Sequence, residues 1–115
     1  MHYRHVTHRS TFSTKSAEVD VTRGPHKTVI RFLCIEDLDE GMSVTNDIER
    51  VIADLVSEGD ITPGMHVVYQ DTQGVWDEVL ISETCTFAGF RSLNAATRDE
   101  AILIVLARLK DNKWK

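Results

Sequence analysis

Five histidines are the first residues in this 115-residue chain that could do chemistry. His2, His5 and His8 recur at every third position, a spacing that lines one face of a helical turn, and His26 and His66 are available to join them. Catalytic zinc needs three ligands fixed by groups behind them. A terminal segment rich in Ser and Thr fixes nothing so firmly, and no HExxH sequence accompanies it. The three are therefore read as solvated histidines, and a small metal-dependent hydrolase ranks third among the functions considered.

Acidic residues are the second candidate. Glu36, Asp37, Asp39 and Glu40 crowd one loop ahead of Gly41. A calcium loop wants acids at positions 1, 3 and 5, Gly at 6 and Glu at 12. Counted from Asp37, glycine falls one position early and Ile48 stands where the glutamate belongs, so the motif fails. Cys34 lies in an apolar run, where a thiol packs as a small hydrophobe. Cys85 lies in a turn, and nothing in the spacing brings His66, the one base on the sheet, to it. Two cysteines make no disulfide framework. The nucleotide and acyl-transfer signatures GxxxxGK[ST], GxGxxG and GxSxG are missing. No cofactor and no metal is expected, and the protein reads as a binder more than an enzyme.

The elements that must position these residues are legible from apolar periodicity. Residues 28–35 are short, β-branched and aromatic, a strand buried on at least one face. Ile48, Val51, Ile52, Leu55 and Val56 fall on one helical stripe, capped by Thr45 or Asn46 and ended by Gly59. A hairpin follows, strand 66–71 and strand 75–82 across Asp71-Thr72-Gln73-Gly74, the residues of a type I turn with a glycine bulge. Strand 86–93 completes a three-strand meander. Thr97-Arg98-Asp99-Glu100 then reads as a capping box. The apolar run at 101–109 has β-branched residues that suit a strand, but its cap, its alanines and its basic last turn favour a helix. As a helix it turns Ile102, Val105, Leu106 and Leu109 inward and leaves Leu103 and Ile104 outside. Adjacent large apolar residues outside imply either cover from the N-terminal segment or a partner, and a two-fold homodimer on Leu103 and Ile104 is the expectation.

Together these elements predict an α+β fold: a mostly antiparallel sheet in the order strand, helix, three-strand meander, helix, with both helices on one face. Residues 1–20 are assigned to a basic arm or edge strand and residues 21–115 to one domain. Three stretches also carry a resemblance: Ser43-Val44-Thr45-Asn46-Asp47-Ile48-Glu49, then residues 67–79 through Tyr69-Gln70-Asp71-Thr72-Gln73-Gly74-Val75-Trp76, then Phe87-Ala88-Gly89-Phe90. The region 43–93 resembles small uncharacterised proteins of tailed phages and bacteria. That resemblance implies a phage-type accessory protein and brings no activity or site residues with it.

Charge shapes the functional expectation. The net charge of −5 conceals +4 over residues 1–31, −11 over residues 32–97 and +2 from Arg98 onward. The middle of the chain is an acidic block between basic ends, a pattern that bears on partners and not on fold. The expected function is a small acidic, non-catalytic, cytoplasmic protein that acts by contact with a protein partner, such as a host nucleic-acid-binding or defence enzyme that it inhibits. The residues assigned to that contact are Glu36, Asp37, Asp39, Glu40, Asp47 and Asp54, whose spacing imitates phosphates. Trp76 joins them as an aromatic anchor, although packing at the core is the favoured reading of Trp76. Nucleic-acid binding through Arg4, Arg9, Lys15 and Arg23 is the alternative. No stretch approaches the roughly 20 apolar residues of a membrane span, so no membrane partner is expected.

Overall fold

The computed structural model describes residues 2–8, 12–23, 26–37, 48–71 and 73–111. Its elements in chain order are β1 (His2–His8), β2 (Phe12–Arg23), β3 (His26–Asp37), α1 (Ile48–Ser57), β4 (His66–Gln70), β5 (Trp76–Ile81), β6 (Phe87–Ala95) and α2 (Arg98–Asp111). The fold is α+β. The six strands form one sheet in sequence order, antiparallel at every junction but one. The exception is β3 with β4, which run parallel because α1 returns the chain between them. Two antiparallel meanders are thus fused along their inner strands.

Residues 1–20 do not stand apart from the sheet. β1 and β2 extend it, and β2 runs through position 20, so the boundary drawn there falls inside a strand. Ala17, Val19 and Val21 alternate along β2 and all pack into one core, the pattern of a half-buried strand. The helical turn that would have aligned His2, His5 and His8 is replaced by an extended backbone.

The two helices cover opposite faces of the sheet, not the single face predicted. Side chains of β3 alternate: Leu33 and Ile35 pack with α1 through Ile48, Val51, Ile52 and Leu55, whereas Phe32 and Cys34 pack with α2 through Ala101, Ile102 and Val105. β4 divides in the same way, with Val67 and Tyr69 toward α1 and Val68 toward α2. A strand buried on both faces reads as a continuous apolar run, and residues 32–35 and 67–69 are such runs. Each fully buried aliphatic side chain in these two cores contributes about 1.5–3 kcal/mol.

Local signals sit where the sequence places them. Gly59 closes α1 at φ 83°. In the β4–β5 turn the Gly74 N–H donates to the Asp71 carbonyl at 3.0 Å, and Asp71 Oδ1 accepts from the N–H groups of Gln73 and Val75 at 2.8 and 3.0 Å. Gly74 takes φ 83°, the left-handed conformation the bulge requires. The run 101–109 is helical. The Glu100 N–H donates to Thr97 Oγ1 at 3.1 Å, and Glu100 Oε2 accepts from Ala96 N–H at 3.2 Å, a capping box shifted by one residue on its return bond.

Candidate functional site

On strands β4 to β6 the α2-facing side of the sheet carries polar residues beside its apolar core. Val68 of β4 lies opposite Glu78 of β5, and Glu78 lies opposite Arg91 of β6, so these three share a face. His66 lies opposite Phe32 and shares that face too, its ring 5.5 Å from the phenyl ring and tilted 37° to it. Of the polar residues among these, Glu78 is buried, with its side chain 8% exposed. Arg91 Nη1 approaches its carboxylate at 3.7 Å and His66 Nδ1 at 3.9 Å, both too long for hydrogen bonds.

His66, Glu78 and Arg91 line a cleft of about 400 Å³, within the range of small-molecule sites. Glu78 lies on its sheet wall, and its helix wall is Val105, Arg108 and Leu109 from the second half of α2. Arg108 Nη1 is buried there and makes no hydrogen bond among the described residues. The cleft therefore holds a buried acceptor on the sheet and a buried donor on the helix, and no ion pair joins them among the described residues.

The second feature is the sheet edge beside the cleft. β6 is an outer strand, hydrogen-bonded to β5 on one side only among the described residues. Register shifts interrupt its pairing between Trp76 and Asp77 and between Leu80 and Ile81, so residues 89–92 form its regular stretch. Within that stretch Phe90 faces the α1 side opposite Val79 and is 61% exposed, while Arg91 faces the cleft.

Of the predicted contact residues, those whose side chains are described, Glu36, Asp54 and Trp76, lie in different places. Glu36 lies at the end of β3 on the α2 side, where Arg98 Nη1 meets it at 3.0 Å and Lys15 at 3.9 Å. Asp54 is half-buried on α1, across the sheet. Asp37 ends β3, its side chain outside the described residues, as are Asp39, Glu40 and Asp47 altogether. Trp76 is 3% exposed and packs into the α2-side core with Leu93 and Ala95, so it is a core residue and not a surface anchor. Leu103 is 62% exposed, as its helical position predicts. Ile104 differs from the expectation. It is half-buried and packs on the α2-side core, so part of its side chain is covered within the chain itself.

Among the described residues no hydrogen bond joins either cysteine to a base. Cys34 is fully buried, and burial pushes its thiol up to about 12, with Glu36 and Asp99 adding to the rise and Arg98 and Lys15 opposing it. No group of three or more His, Cys, Asp or Glu that could hold a metal occurs among the described residues. No helix among them is long and apolar enough to cross a membrane. Comparison with protein-family models, with curated proteins and with solved structures finds no match to this chain.

Proposed function

We propose that this protein acts by contact with another protein, and that the contact is strand addition along β6. The observation that carries the reading is an outer strand with a large aromatic side chain, Phe90, 61% exposed within its regular stretch. An outer strand presents unpaired N–H and C=O groups to any extended segment that can lie beside it. The bulges at both ends of the stretch shorten it, which blunts pairing between whole sheets while leaving room for a short segment. Alternation sets the partner's chemistry. An apolar side chain belongs on the Phe90 side, and an acidic one belongs on the Arg91 side.

Selection of random extended peptides displayed against the whole protein tests this. The expected outcome is a set of short binders alternating apolar and acidic residues. Phe90→Ser is expected to weaken them at least tenfold, and Arg91→Ala to remove the acidic preference while leaving the apolar one. Binders that hold equally well to Phe90→Ser overturn the assignment to β6, as does failure to enrich any peptide.

A further inference from the structure

From the cleft between the sheet and the second half of α2, we propose a binding site for a small amphoteric molecule, one that carries a carboxylate and an ammonium group on an apolar body. The inference does not rest on strand addition at β6: its test residues are Glu78 and Arg108, and Arg91 is the one residue that borders both sites.

Two buried groups of opposite hydrogen-bonding character carry it. Arg108 Nη1 is a cationic donor, buried on the helix wall without an acceptor among the described residues. Glu78 is an acidic acceptor on the sheet wall, its side chain 8% exposed, with Arg91 at ion-pair distance, 3.7 Å, and His66 at 3.9 Å, neither close enough to hydrogen-bond. A buried polar group without a partner is costly, and in folded proteins nearly all such groups find one. The two cannot cancel each other, because no ion pair joins Arg108 to Glu78 within 4 Å among the described residues.

A carboxylate seated on Arg108 answers the first group, and charge-assisted bonding of this kind is the strong form for a guanidinium. An ammonium seated on Glu78 answers the second in the same way. Part of the lining between them is apolar, Val105 and Leu109 on the helix and Leu80 on β5, and Ser82 and Glu83 add polar groups at the end of that strand. An aliphatic chain joining the two charges fits that lining. A simple anion leaves Glu78 without a hydrogen-bond donor among the described residues and brings more negative charge toward it. A simple amine leaves Arg108 unanswered and brings positive charge toward Arg91 and Arg108. The cleft thus selects for the two-headed molecule over either half.

The test uses the full chain and three matched series of straight-chain compounds with four to eight carbons: ω-amino carboxylates, the corresponding carboxylates and the corresponding amines. Calorimetric titration is expected to show one chain length of the ω-amino carboxylates binding at least tenfold more tightly than either one-headed analogue. Glu78→Gln keeps the shape and removes the charge, and is expected to abolish the advantage over the plain carboxylate. Arg108→Met keeps the aliphatic stem against α2, and is expected to abolish the advantage over the plain amine. No binding by any ω-amino carboxylate at millimolar concentration overturns the proposal, without reference to either variant. So does one-headed binding as tight as two-headed binding, or a two-headed preference that survives in both folded variants.

Discussion

Replacing Ile104 by Glu separates an intramolecular role from an intermolecular one. Ile104 is half-buried against the core that contains Ile102, Val105, Val19 and Val21, whereas its neighbour Leu103 is 62% exposed. Full burial of an isoleucine is worth about 1.5–3 kcal/mol, so half-burial puts about 1 kcal/mol at stake in transfer alone. The incoming carboxylate must also sit at the margin of an apolar wall, which raises the expected loss to about 1.5–2.5 kcal/mol. For a domain of this size that corresponds to a fall in Tm of roughly 6–10 °C. Leu103→Glu removes little buried surface and is expected to cost no more than about 0.5 kcal/mol. Urea unfolding of the three proteins, followed by tryptophan fluorescence, gives the stabilities, and light scattering gives the mass of each. The packing argument is refuted if Leu103→Glu costs as much as Ile104→Glu. It is equally refuted if Ile104→Glu halves the mass of an assembly while leaving its stability untouched, since the residue then serves a partner and not its own core.

Other perturbations address the cores and caps. Stability is expected to fall with rising pH between about 9 and 12: burial holds Cys34 protonated up to about 12 and, with Asp77 and Asp71, raises Tyr69 to about 12, while in the unfolded chain they ionise near 9 and 10. The sign follows because the unfolded state sheds its protons first, and Cys34→Ala is expected to flatten the fall just above pH 9 in denaturation series run at several pH values. Thiol titration of the native protein at pH 8 is expected to find Cys85, which is half-exposed, reacting ahead of the buried Cys34, with both reacting in denaturant. Thr97→Ala removes the bond to the Glu100 N–H and is expected to cost about 1 kcal/mol by thermal melting.

How far the fold was legible depended on whether a signal was local. The stripe Ile48, Val51, Ile52 and Leu55 is buried as its spacing dictates, and the Asp71–Gly74 turn and the Thr97 cap form bonds their residue types anticipate. The placement of helices on opposite faces was legible too, but in a feature that periodicity does not score. Val67, Val68 and Tyr69 are consecutive and all buried, and no strand with one solvated face can be built that way. Likewise Ala17, Val19 and Val21 form an alternating triplet that marks β2 as part of the sheet. A helix stripe judged by itself assigns Ile104 outward, whereas the fold half-buries it against the α2-side core.

The cleft shows why a site can stay hidden in a sequence that contains all its parts. Glu78 and Arg108 lie on elements joined through β6 and the α2 cap, and their meeting depends on how α2 crosses the sheet, which no spacing encodes. Acidic residues drew attention first where they were most numerous, at 36–40. Of that group Glu36 is the one whose side chain is described, and it is held by Arg98 at 3.0 Å. The more informative acid is the isolated one. Glu78 is flanked two residues away by Trp76 and Leu80, which turn toward the same helix, so strand alternation alone sends a carboxylate into an apolar layer. Such a residue is expensive unless something answers its charge, and Arg91 and His66 approach without closing to hydrogen-bond distance. An acid at an inward strand position, with no base at the adjoining positions of its own strand, is therefore the signal by which this site could be found from sequence.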